Sequence, residues 1–184
     1  MPITINGSGT VTGLSAGGLP DGSITSADLA SGAITAGALP TGSILQVVAA
    51  STHGSAYTSS STFEDSGLCT ASITTSVANS KLLVIQTFSP EVYIGENTGQ
   101  HIAMRSSVDS YAANLVQGVA NYHTNYGVEL TPVLQYLHNP SQTSGTTITY
   151  RLYFKRYANT NNQYINDGWG ITPTHAITIM EVAP

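Results

Sequence analysis

Two stretches carry the side chains best suited to recognising another molecule: NYHTNYG at 121–127 and RYANTNNQYINDGWG at 156–170. Both interleave aromatic rings with amides or carboxylates, a combination that stacks on a sugar ring and hydrogen-bonds its hydroxyls. Tyr157, Tyr164 and Trp169 would be the platforms, and Asn161, Asn162 and Asp167 the polar partners of a candidate glycan-binding set. The same residues would serve equally as plugs at the rim of a β-sandwich, with Asn and Gly making the loops. Trp169, the only tryptophan, lies between two glycines and suits either role.

Cleaving a glycan would need two carboxylates placed across the glycosidic bond. Residues 45–184 offer Glu64, Asp65, Glu91, Glu96, Asp109, Glu129, Asp167 and Glu181. Glu64 and Asp65 are neighbours and point to opposite faces of an extended chain. Glu91 and Glu96 border a Gly-Asn turn and Glu181 ends the last apolar run, so all three are expected in solvent. No catalytic residue is assigned, and no enzymatic activity is expected. His53, His101, His123, His138 and His175 occur singly, without metal-ligand spacing. No metal or other cofactor is therefore expected, although three copies of one His could still meet on a threefold axis. Cys69 stands alone in GLCTASIT, which rules out an intrachain disulfide framework. It is expected as a small buried hydrophobe; a nucleophile would need a base to stabilise its thiolate, and the sequence pairs it with none.

These residues sit on or between β-prone runs: LQVVAAS, LCTASITT, KLLVIQTF, QHIAMRS, VLQYLH, TTITYRLYFKRY and HAITIMEV. Clusters of Gly, Asn, Ser and Pro separate them as turns, and nothing reads as a helix. In the longest run Ile148, Tyr150, Leu152 and Phe154 share one face, while Thr147, Thr149, Arg151, Tyr153 and Lys155 share the other. Leu82 to Ile85 are apolar on both faces, as expected of a strand lying between its own core and a neighbouring subunit. The spacing predicts an all-β domain, a β-sandwich or jelly roll, from about 45 to 184.

Ahead of it, LPDGSITSADLASGAITAGALPTGSI (19–44) is a ten-residue repeat. Leu19, Leu29 and Leu39 recur in phase, as do Gly22, Gly32 and Gly42, and Ile24, Ile34 and Ile44. One unit offers too little apolar surface to offset a backbone ordering cost of roughly 1–2 kcal/mol per residue. Three chains side by side could cover one another, with the Leu and Ile rows facing a threefold axis; a flexible Gly/Ser linker is the other reading of this composition. Before the repeat, PITINGSGTVTG alternates like a strand that lacks a partner sheet. Ile3 and Ile5 would share a face and dock on another protein by strand addition or by threading between subunits.

Charged residues make only 8% of the 184 residues, against about a quarter in an ordinary soluble domain. With 5 Lys and Arg against 10 Asp and Glu the net charge is −5. Neutral polar groups dominate instead, as on an extracellular or virion surface. No Lys or Arg precedes Lys81, which leaves neither a positive signal-peptide start nor a basic arm for nucleic acid. No apolar run is long enough for a membrane helix, so membrane insertion is not expected.

MPITINGSGTVTGLSAGGLPDGSIT, the ten-residue units, the GSILQVV junction, DSGLCTASIT with NSKLLVI, and HAITIMEV together resemble the fibre proteins of tailed bacteriophages of the cyanophage or marine type. The resemblance implies a homotrimer assembled in the host cytoplasm and carried on the virion. Its parts would be a virion-attachment segment at 1–18, a thin shaft at 19–44 and a head at 45–184, similar in plan to the complement and tumour-necrosis-factor jelly roll. It further implies a tail fibre contributing to attachment at host-surface glycans. A neck fibre, or a capsid decoration or cement protein that binds no receptor, uses the same parts and stays open.

Overall fold

The structure, a computed structural model, describes residues 24–88, 90–91, 98–123, 132–156, 163–165 and 174–184. Its strands are β1 (Ile44–His53), β2 (Ala56–Thr58), β3 (Glu64–Asp65), β4 (Ala71–Thr74), β5 (Lys81–Thr87), β6 (Pro90–Glu91), β7 (Thr98–Ser106), β8 (Val116–His123), β9 (Val133–His138), β10 (Thr147–Arg156), β11 (Gln163–Ile165) and β12 (Thr174–Val182). The only helical pieces among the described residues are three single 3-10 turns, as the sequence led us to expect of an all-β chain.

Two of those turns fall in the repeat, ten residues apart, at Ser26–Asp28 and Ala36–Ala38. Each is closed by the same backbone bond, Asp28 N–H to Thr25 O at 3.0 Å and Ala38 N–H to Thr35 O at 2.9 Å. A second turn follows each, Ala33 N–H donating to Ala30 O and Ser43 N–H to Pro40 O. Its third residue is Gly32 (φ +78°) or Gly42 (φ +88°), the left-handed position that a type II turn reserves for glycine. In the first unit Asp28 also accepts from the Thr25 N–H and hydroxyl, at 2.8 and 2.7 Å, which holds its carboxyl below the usual value.

Every strand pair among the described residues is antiparallel. One sheet runs β1-β12-β5-β9; a second runs β3-β10-β7-β8, with β4 also paired to β10; a small third sheet runs β2-β11-β6. Burial alternates along β10, with Ile148, Tyr150, Leu152 and Phe154 inward, as their period of two dictates. Strand β12 buries His175, Ile177, Ile179 and Glu181, and β5 buries Leu82, Val84 and Gln86. The inward side chains of the two large sheets join in one hydrophobic cluster, which also takes in Cys69, Phe88 and Leu134. Cys69 is the small buried hydrophobe expected of it: its thiol reaches Thr87 O at 3.4 Å, and burial pushes its pKa up to about 12.

Glu181 corrects the expectation of a solvated strand end. It is 0% exposed. Alternation along β12 turns it inward, where long-range partners meet it: Gln46 Nε2 donates at 2.6 Å, the Ser76 N–H at 2.8 and 3.0 Å, and the Ser76 hydroxyl at 2.8 Å. Burial alone would raise its pKa, but hydrogen bonds from Gln46 and Ser76 outweigh it and hold the carboxyl below its ordinary value.

Candidate functional site

Of the candidate glycan-binding residues, Tyr157, Asn161, Asn162, Asp167 and Trp169 lie outside the described residues, as do Leu19 of the repeat and Ile3 and Ile5 of the N-terminal segment. The backbone of Tyr164 is described; it lies in β11, opposite Tyr57 of β2 and Glu91 of β6. Glu64 and Asp65 do take separate partners, Glu64 the Thr58 hydroxyl and Asp65 the Arg151 guanidinium. Among the described residues no three His, Cys, Asp or Glu side chains gather in a way that could hold a metal ion.

The repeat supplies the clearest unfinished surface. Ile24, Leu29, Ile34, Leu39 and Ile44 are all exposed on the single chain, Ile34 at 57%. Among the described residues the repeat therefore spaces its large apolar groups evenly along the chain and buries none of them within it.

That surface continues into the first sheet through an irregularity in β1. Strict alternation would send Ile44 and Val47, three residues apart, to opposite faces. The register slips between Ile44 and Gln46, so that Ile44 opposes Val182 while Val47 opposes Met180. Val182 and Met180 share the outer face of β12, and both β1 residues therefore share it too. From Val47 the register carries an apolar row across all four strands, Val47 to Met180 to Leu83 to Leu137. Val47 is 55% exposed and Leu137 51%. Leu83 and Ile85 are the outward half of the run that reads as apolar on both faces.

The junction between repeat and sheet is held by the end of the chain's last strand. Gly42 N–H donates to Ala183 O at 3.1 Å, and Ala183 N–H to Ser43 O at 2.8 Å. One residue before Ala183, Val182 faces Ile44, and one before that Glu181 draws Gln46 and the Ser76–Val77 backbone together. The start of the first strand is thereby tied to two other segments at once, which fixes how the repeat leaves the sheet.

On the other sheet, the outer face of β10 and β7 gathers Arg105, Arg151 and Lys155 among aromatic rings. Sequence reasoning placed Arg151, Tyr153 and Lys155 together but missed Arg105, Phe63 and Tyr111: the β7–β10 register brings in Arg105, the turn after β7 brings in Tyr111, and the β3–β10 pairing brings in Phe63. No protein-family model matches the chain, and no curated protein matches it.

Proposed function

We propose that this chain is a structural fibre protein of a tailed-phage virion. In this reading it is a homotrimer whose residues 1–18 attach to another virion protein, whose repeat forms a short shaft, and whose residues 45–184 form a jelly-roll head contributing to host-surface attachment. The observation that carries the reading is the series of exposed apolar side chains at Ile24, Leu29, Ile34 and Leu39 of the repeat, followed by Ile44 and Val47 on the outer face of the β1-β12-β5-β9 sheet. Copies of the same chain supply a cover of matching length and period for both parts.

The strand order supports the jelly-roll head. Strands β4, β7, β8 and β10 go to one sheet and β5, β9 and β12 to the other, so the chain crosses repeatedly between them, as in Greek-key connections. The scarcity of charge supports a particle surface built on neutral polar groups.

Sedimentation equilibrium of the full chain tests the proposal, with three times the chain mass expected. A folded monomer at micromolar concentration would overturn it. Electron microscopy of intact particles then separates the two roles open to such a trimer: density at the tail favours attachment, and density on the capsid favours decoration.

A further inference from the structure

Three of the chain's five cations share the outer face of the β10–β7 pair. Strand alternation turns Arg151, Tyr153 and Lys155 away from the buried Leu152 and Phe154. The register sets Arg151 opposite Arg105, Tyr153 opposite Ala103 and Lys155 opposite His101. Two arginines directly opposite one another repel, and aromatic rings keep them in place. The Arg105 guanidinium lies 4.7 Å from the Tyr153 ring centre and 5.1 Å from that of Phe63, while Arg151 lies 4.8 Å from that of Tyr111. The rings of Tyr111 and Tyr153 are 6.1 Å apart. Ala103, on this outer face, is fully covered.

The charge on this face is not balanced locally. Asp65 pairs with Arg151 at 2.7 Å. Arg105 is steered by neutral acceptors, Asn114 Oδ1 at 2.7 Å and Tyr111 O at 2.9 Å. Lys155 rests 4.8 Å from the centre of the Phe63 ring and has no acceptor partner among the described residues. A chain of net charge −5 thus keeps a positive patch on this face, its arginines held against aromatic rings and its Lys155 ammonium without an acceptor among the described residues.

We propose that this face binds an acidic saccharide, one whose sugar rings carry carboxylates. Guanidinium forks and an ammonium match carboxylate oxygens. The neighbouring Tyr hydroxyls and the Asn114–Gln117 amide pair suit ring hydroxyls. The charge density fits as well: an acidic sugar offers one carboxylate per ring, a spacing that a few cations can match, whereas duplex DNA carries one charge per ~1.7 Å of axis. The proposal deepens the attachment reading by naming a ligand class, on residues separate from the 157–169 candidates. Three such faces on a trimer would add their weak affinities against a repeating polymer.

The test is calorimetric titration of the full chain with oligogalacturonate, alginate oligomers and sialic-acid oligomers, each beside its methyl ester, with poly-L-glutamate as the peptide arm. At least one free acid should bind, weaken with added salt, and lose at least tenfold on esterification. Lys155→Gln and Arg105→Gln should each weaken it about tenfold, the loss of one charge-assisted contact. Lys155→Gln should keep the parent melting temperature, so a folding defect cannot mimic the effect. No binding by any free acid at millimolar concentration, equal binding of an ester, or equal binding of poly-L-glutamate overturns the proposal. Sedimentation of the same sample keeps the two readings apart: a trimer indifferent to acidic sugars sinks only this one, and a monomer that binds them sinks only the fibre.

Discussion

Tyr150 of β10 and His138 of β9 join the two large sheets through a 2.7 Å hydrogen bond between the phenol oxygen and Nδ1, with their rings edge to face at 85°. Burial lowers the His138 pKa from the ordinary 6.5, Asp109 offsetting part of the effect, and burial raises that of Tyr150. Both groups are therefore neutral at pH 7, and the bond crosses the core without a charge.

Acid should weaken the fold in two stages. His138 and His175 are both buried, and burial lowers both pKa values; for His175 the Gly54 carbonyl at 2.8 Å offsets part of the shift. Below pH 6.5 the unfolded chain binds protons that the folded chain refuses. Stability is then fully present above 6.5 and falls as the pH drops through the lowered folded values. Glu181 adds a second loss, beginning below its ordinary 4.5, because its folded pKa is also lowered. Urea midpoints measured from pH 7.5 to 4 should decline in that order, and a flat profile down to pH 5 would contradict the histidine assignment. Tyr150→Phe should cost about 1–2 kcal/mol at pH 7 by stranding His138 Nδ1.

Glu181→Gln is expected to destabilise by about 2–3 kcal/mol. The groups around this carboxylate are donors, so an amide NH2 placed among them faces N–H with N–H. Hydrogen exchange should accelerate first at residues 42–46 and 181–183, where the junction depends on it. A variant with parent stability and unchanged exchange at those amides would show the carboxylate to be dispensable.

These two cases mark what could be read from the chain alone. The inward face of β10 was legible because Ile148, Tyr150, Leu152 and Phe154 state their period within eight residues. The repeat was legible for the same reason, its turns recurring with its glycines. Glu181 was misread because its environment comes from Gln46 and Ser76, more than 100 residues away, and a carboxylate at a strand end carries no local sign of them. Arg105 was missed likewise, since its ring partners Phe63 and Tyr153 lie on other segments that only strand register brings together. The bulge that keeps Ile44 and Val47 on one face has no signature in LQVVAAS.

If copies meet through this face as proposed, Leu83→Asp should dissociate them while leaving the single chain folded. Leu83 is on the outer face, midway along the Val47–Met180–Leu83–Leu137 row. In a trimer three carboxylates would be buried together without partners, at a cost of several kcal/mol. Sedimentation should report monomers, with a parent-like circular dichroism spectrum. Unchanged association would show that this face is not where copies meet.

Gly32→Ala and Gly37→Ala should differ, although an added methyl meets nothing within 4 Å at either site. Gly32 has φ +78°, so alanine there pays about 1–2 kcal/mol of backbone strain. Gly37 lies in the Ala36–Ala38 turn and has no positive φ, so alanine should be neutral, or stabilising by up to about 1 kcal/mol. Thermal melts of the two variants decide it, and equal behaviour would contradict the turn geometry.

Each of the two described ten-residue periods, 24–33 and 34–43, closes its own turns and exchanges no backbone hydrogen bond with the other. Reach is then counted out in whole modules. Gaining or losing one unit's worth of codons would move the sheets nearer to or farther from whatever anchors the chain, with neither end having to be rebuilt. Selection could adjust such a spacer by recombination between its own copies, a change far easier to come by than a new fold.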